Sequence, residues 1–409
     1  MPYGSRLAAT MTRRLGRECV YTPSARLALY LALRRWCRPG ARVLMSPLND
    51  DVILFVVLAA ALRPVLAPVS VWDGNIDPAA VPESTWRNVD AVLTTNLYGM
   101  PDHVVELRRH CEALGIPLFE DAAHAIGTHV DGQPIGTFGK AAAFSLSKHV
   151  AGMAGGFLAV DDARTRRELE LLRDDLLTPR SLATDLATTL RPLARSAAHT
   201  LHLVRPVWRT LQRLGLLERD GFRMDLHAPL LAACAGRAPS LTAYEPWVRV
   251  DLHGYRSRHG SLVRGQLALR MAGLDRDLTR RRAGVSLLSG TTWASPALHE
   301  RAEHDGLPAL FRVPLLVDDR DALVERLVRH SVVSGYVYDP PLDDYAGAEF
   351  VELSPDPSAA RWFAAHVLPA DPLLAHRIAG ALTRERATTA HPSVPAPVPE
   401  ATPPAILGH

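Results

Sequence analysis

The sequence predicts an α/β protein: a large domain with a mainly parallel sheet between helices, followed by a smaller C-terminal α+β domain. Three observations carry that prediction. Over residues 24–160, short apolar runs alternate with stretches of helical periodicity, a pattern that a parallel sheet covered on both faces accommodates. The chain has 409 residues, against roughly 100–200 per domain. Beyond residue 262 the mixture changes to a long arginine-rich helical stretch, short strands and a closing helix. The expected boundaries are 1–162 for the large domain, 163–250 for a helical, basic insert completing it, 251–387 for the small domain and 388–409 for a tail.

Each element follows from local pattern. Residues 1–18 read as a basic arm, and 24–36 place leucines and alanines at helical spacing. The turn Pro39-Gly40 precedes a strand at 43–46; 52–62 is a helix apolar all round, hence buried, and 64–69 and 91–95 are strands. A helix over 104–114 closes on Gly115, and a strand at 117–119 delivers Glu120 and Asp121 at its C-terminal end, where α/β sheets bind ligands. Residues 141–145 and 157–160 are further strands. In the small domain the pattern predicts strands at 310–313 and 332–337 and a helix over 372–383. The tail is proline-rich and without periodicity, so it is expected to be disordered.

In the insert, Leu182, Leu186, Leu190, Leu193, Ala197 and Leu201 begin an apolar stripe that runs to residue 214, broken by Pro192 and Pro206. All charged residues from 186 to 217 are arginines. Such a face fits a helical pair with a solvated basic side, and it also fits peripheral contact of 182–217 with an anionic membrane.

Composition excludes several classes. Hydrophobic residues make up 47% and charged residues 22%, as in ordinary globular chains. A net charge of +3 is too small for nucleic-acid binding by the whole surface. Cys19, Cys37, Cys111 and Cys234 form no C-x-x-C pair, which argues against a metal site and a disulfide framework and for the reducing cytoplasm. The longest apolar run, 52–62, is far short of the roughly 20 residues that cross a bilayer.

Of the 46 basic residues, lysine occurs only at Lys140 and Lys148. Where arginine meets nearly every need for a cation, a surviving lysine suggests a job that requires a neutral amine. Lys148 lies among motifs in a fixed order: Asn96-Leu97-Tyr98-Gly99, Glu120-Asp121-Ala122-Ala123-His124-Ala125, Ile135-Gly136, Phe144-Ser145, Lys148 and Gly155-Gly156. Asn75-Ile76-Asp77-Pro78 precedes them, and Gly254-Tyr255-Arg256-Ser257-Arg258 and Arg280-Arg281-Arg282 follow. With these motifs the sequence resembles the DegT/DnrJ/StrS family of pyridoxal-phosphate enzymes, mostly sugar aminotransferases of fold type I, built on a seven-stranded sheet.

The resemblance implies pyridoxal 5'-phosphate as cofactor. It implies that Lys148 is the Schiff-base lysine, that Asp121 sits beside the cofactor's ring nitrogen and that His124 lies by the ring. Ser145 matches a phosphate-binding serine, with a shorter spacing to the lysine than the family usually has, and Asn96 a residue approaching the phenolic oxygen. Three positions depart from the family. Ser24-Ala25-Arg26 replaces a Gly-Thr phosphate site, where Arg26 could supply a charge-assisted contact. Asp50 stands at the ring-stacking aromatic, and Arg256 at an asparagine that reaches the neighbouring subunit's phosphate.

The activity implied is amino transfer, from glutamate or glutamine, onto a keto sugar carried on a nucleotide, in a homodimer. Relatives that dehydrate sugars have histidine at the lysine position, and Lys148 argues against that outcome. The departures leave a second reading, a catalytically altered relative acting as a binding or regulatory subunit.

Overall fold

The structure, a computed structural model, describes residues 4–150, 154–180, 185, 188, 189, 223–235, 239–249 and 254–392. The 182–217 stripe lies almost wholly outside the described residues, and the expected membrane contact with it. Among the described residues, no helix is long and apolar enough to cross a membrane.

The expected arm is a helix, α1 (Ser5–Leu15), because Leu7, Met11 and Leu15 recur at helical spacing and are buried, and Gly16 at φ 68° ends it. Then follow β1 (Glu18–Thr22), α2 (Ala25–Trp36), β2 (Arg42–Met45), α3 (Asp51–Ala59), β3 (Arg63–Leu66), β4 (Ala91–Thr94) and β5 (Leu118–Asp121). A small hairpin, β6 (His129–Val130) and β7 (Gln133–Pro134), precedes β8 (Ala141–Ser145) and β9 (Gly156–Val160). Seven of these strands form one sheet in the order β1-β9-β8-β5-β4-β2-β3. β9 runs antiparallel to both neighbours and the others run parallel. Parallel strands bring their C-terminal residues to one edge, and so Met45, Thr94, Asp121 and Ser145 share an edge of the sheet.

Every residue of α3 is buried: Val52–Ala59 are all apolar, and Asp51 at its start is paired with Arg223. Its Phe55 stacks on Trp247 of the short helix Glu245–Val248, with ring centroids 5.6 Å apart.

The helices Ser261–Ala272 and Leu274–Ser289 meet at Gly273 and lead into a smaller region. Its sheet is one antiparallel pair, β10 (Val313–Leu316) with β11 (Val367–Ala370). Two expectations are corrected here. The strand placed at 310–313 begins only at Val313, because the Phe311 and Arg312 amides donate to the Tyr98 carbonyl, 2.9 and 3.1 Å away, instead of to a strand. Residues 332–337 form no strand: β11 takes the place beside β10, and Tyr336 sits at φ 67°. The tail starts later than expected, since Asp318 donates to the Thr388 carbonyl and the buried Ala390 donates to that of Leu316. Residues 393–409 lie outside the described residues.

Candidate active site

The site is built outward from the end of β5. Alternate residues of a strand face opposite sides, so the neighbours Glu120 and Asp121 have separate duties. Glu120 is fully buried and accepts from the amides of Gly136, Phe138 and Gly139 at 2.7–2.8 Å, which fixes the turn before β8. Asp121 accepts one amide, that of Ala123, at 3.0 Å. Burial pushes its carboxyl up to about 7, opposed by the Ala123 N–H and the Lys148 charge and assisted by Asp50.

Lys148 lies in the short helix Leu146–His149 directly after β8. Its Nζ stands 4.0 Å from the centre of the Tyr336 ring and 5.6 Å from that of Phe311. His124 is buried and stacks on Phe311, centroid to centroid 4.7 Å, with Tyr336 edge-on at 5.8 Å. Burial, then the charges of Lys148, His149 and Arg312, hold its pKa well below the usual histidine range, so its ring is neutral. Asp121 and His124 both sense the Lys148 charge, so the three side chains lie in one neighbourhood.

The Asn96 turn ties these groups together. Asn96 (φ 46°), Tyr98 (φ 61°) and Gly99 (φ 93°) are all in the left-handed region. Asn96 donates to the Asp121 carbonyl and the Thr94 hydroxyl, both at 3.1 Å, and accepts from the Asp102 amide. Its side chain thus grips the backbone of Asp121. The Tyr98 hydroxyl donates to the Tyr336 carbonyl at 2.9 Å, while its own carbonyl holds Phe311 and Arg312. A Cβ on Gly99 would lie 2.4 Å from the His124 carbonyl oxygen, so this approach requires glycine.

The remaining predicted residues fall around this centre. The Ser145 hydroxyl is 2.8 Å from that of Ser147, one residue before Lys148. Ser24 caps α2, accepting from Leu27 and donating to the Tyr255 carbonyl, and Ala25 comes so close to the start of β9 that a Cβ on Gly156 would lie 2.6 Å from its amide nitrogen. Arg26 donates to the Val248 carbonyl and lies over the Tyr255 ring. Arg256 is paired with Glu245 at 2.9 Å and donates to Thr242. Asp50 has a structural reason to be there: its carboxylate caps α3, accepting from Val52. Lys140 lies at the other end of β5, 3.7 Å from Asp161, beside a cavity of about 270 Å³ lined by Cys111 and Leu118.

Five residues near Lys148 were not singled out for the site in the sequence: His149, Arg281, Phe311, Arg312 and Tyr336. Only Arg281 carried a signal, as part of Arg280-Arg281-Arg282. It donates to the carbonyls of Phe311 (3.1 Å), Leu310 (3.4 Å) and Lys148 (3.4 Å), joining the two sides of the site.

Residues 5–180 match the model of the DegT/DnrJ/EryC1/StrS aminotransferase family. The resemblance drawn from the motifs is shown over that segment. It holds Asp121, His124, Ser145 and Lys148, whereas Phe311, Arg312 and Tyr336 lie beyond it. The chain is 33% identical over 165 residues to L-glutamine:scyllo-inosose aminotransferase of Streptomyces griseus, covering 38% of this chain and 38% of that protein. It is 29% identical over 159 residues to the spore coat polysaccharide biosynthesis protein SpsC of Bacillus subtilis, covering 38% of this chain and 41% of SpsC. The matched stretch thus spans about two fifths of these relatives. Over the whole fold the chain is similar to the aminotransferase TlmJ from Streptoalloteichus hindustanus, with a TM-score of 0.64 and 18% identity, covering 94% of this chain and 92% of that one. The fold is the expected one, type I of the pyridoxal-phosphate transferases.

Proposed function

We propose that this protein is a pyridoxal-phosphate-dependent aminotransferase that moves an amino group from glutamate or glutamine to a keto sugar, nucleotide-linked, as a homodimer in the cytoplasm. The observation that carries the reading is the convergence of the buried carboxylate of Asp121, the neutral ring of His124 and the amine of Lys148 at the C-terminal edge of a type I sheet. The family match supports the reaction, the name of the scyllo-inosose enzyme supports glutamine as donor, and the name of SpsC supports a place in polysaccharide synthesis. The four free cysteines agree with a reducing compartment.

The residues present fit the cofactor. Asp121 is a buried carboxylate with a single amide donor and would hold a cationic ring N–H, which stabilises the carboxylate form against burial. His124 presents a flat, uncharged face. Ser145, the α2 N-terminus at Ala25, and Arg26 are the groups for the phosphate, with Arg256 serving the subunit boundary. When bound, the cofactor supplies an electron-withdrawing ring that makes the donor's Cα–H acidic. On this chain's side Lys148 would hold the cofactor's aldehyde through its amine, and the same amine, when free, would be the group that takes up and gives back a proton. Arginine could not, because its guanidinium does not give up its proton. Asn96 keeps Asp121 in place through the backbone.

The test is to mix the purified chain with pyridoxal phosphate, reduce with borohydride and map the adduct by mass spectrometry. With only two lysines in the chain, attachment is expected on Lys148. No attachment, or attachment on Lys140 alone, refutes the reading.

A further inference from the structure

The strip of chain that covers Lys148 is fastened by a residue far from the reacting groups. Tyr336, whose ring centre lies 4.0 Å from Lys148 Nζ, sits at φ 67°. A tyrosine does not favour that left-handed conformation, which persists only where the surroundings over-determine it. Two hydrogen bonds on the strip do so. The Tyr336 carbonyl accepts from the Tyr98 hydroxyl at 2.9 Å, and the Tyr338 carbonyl accepts from Arg223 Nη2 at 3.1 Å.

Arg223 does more than hold Tyr338. Its Nε donates to the Pro340 carbonyl at 2.8 Å and its Nη1 to the Asn49 carbonyl at 2.6 Å. Nη1 also meets the Asp51 carboxylate at 2.5 Å, and the second oxygen of Asp51 accepts the Met224 amide at 2.8 Å. The two side chains of this ion pair are 5% and 0% exposed. The guanidinium carbon lies 5.7 Å from the Tyr338 ring centre, and Tyr338 in turn stacks on Tyr98. One side chain therefore ties 338–340 to residues 49–51 at the start of α3. Arg223 comes from the 163–250 region, beyond the family-matched residues 5–180.

A buried ion pair seldom repays its desolvation in stability; what it can give is a single fixed arrangement. For Asp51 any cation of the right reach would do. Three carbonyls besides need the planar fork of arginine.

We propose that Arg223 is a positioning residue for Lys148: by holding the Tyr338 and Pro340 carbonyls against the start of α3, it keeps Tyr336 in its left-handed turn with the ring over the amine. That the covered amine is the reacting one rests on the amino-transfer reading; the link from Arg223 to Tyr336 does not.

The test methylates the full chain, without cofactor, with formaldehyde and cyanoborohydride, and follows Lys148 against Lys140 by mass spectrometry. Lys140, 48% exposed at the other end of β5, is the internal standard. Arg223→Lys keeps a cation for Asp51 and loses the fork, and the amine added at position 223 is read separately. The melting temperature should stay close to that of wild type and the Lys140 rate should not change, while Lys148 reacts about five- to tenfold faster as the strained turn relaxes and the ring leaves it. Tyr336→Ala should give the same acceleration, and Arg223→Lys should add nothing to it. An unchanged Lys148 rate in folded Arg223→Lys overturns the proposal, as do additive effects of the two substitutions or equal acceleration at both lysines. Should Arg223→Lys fail to fold, Asp51→Asn with Arg223→Met takes its place, since that pair leaves no buried charge. A chain that shows the coupling but never attaches pyridoxal phosphate to Lys148 keeps the positioning link and loses the reaction. A chain that attaches the cofactor and shows no coupling loses the link alone.

Discussion

One wall of the site comes from β4, β5 and β8 and is held by ladder hydrogen bonds and a close-packed core, whereas the facing stretches 310–312 and 336–338 belong to no strand and are tied down by the Leu97–Gly99 turn together with Arg281 and Arg223. In the first wall Phe119 and Phe144 are fully buried beneath Asp121 and Ser145, and Glu120 pins the adjoining turn. In the second, Tyr98 alone supplies the carbonyl for Phe311 and Arg312 and the hydroxyl for Tyr336. The contrast teaches a division of labour. Asp121 and Lys148 stand at the ends of ladder-bonded strands, whereas Phe311, Arg312 and Tyr336 stand on irregular backbone that side chains hold in place.

The largest effect that would break this comparison is chemical. Lys148→Ala should lower amino transfer by about 10²–10⁴-fold with little change in thermal stability; activity within a few-fold of wild type in a turnover assay would mean that the rigid wall does not hold the reacting amine. Next comes the core: Phe144→Ala should cost about 3–5 kcal/mol in denaturant unfolding, and the transition should stay single if the first wall is one cooperative unit.

Tyr98→Phe is smaller. It leaves the Tyr336 carbonyl short of one donor, about 1–3 kcal/mol, and hydrogen exchange should speed up at 311–312 and 336–338 more than in β5 and β8. Uniform acceleration across the chain would erase the distinction between the walls. The finest effect is in the pH dependence of Asp121. Its carboxyl is raised from 3.8 to about 7 in the fold, so its contribution favours folding at pH below 3.8 and is lost as pH rises through about 7. Without cofactor, Tm of the wild type should therefore fall relative to Asp121→Asn between those values; a constant difference would show that burial does not control this carboxyl.

Much of the rigid wall was legible in the sequence because its residues are close in the chain and its period is local. The alternation of strand and helix gave β2 to β5, β8 and β9 nearly in place, but not the hairpin of β6 and β7, and Asp121, His124 and Lys148 fall within a span of 28 residues. The second wall was misread for physical reasons. Val332, Val333 and Val337 look like strand residues, yet β11, more than 30 residues further on, wins the pairing with β10. Phe311 looks like a strand residue too, but its amide goes to Tyr98. The Asp50 departure, read as the loss of a ring-stacking side chain, turned out to have a local purpose as the cap of α3.

What the sequence by itself determined is the chemistry that needs only residue type and short spacing: a lysine among arginines, a carboxylate at a strand's end, a histidine three residues later. What only the tertiary structure decided is the company these residues keep. Phe311 and Tyr336 reach Lys148 across more than 160 residues of chain, and no local pattern encodes such a contact, because it depends on the packing of two regions against each other and on the Tyr98 turn and the Arg281 side chain that join them.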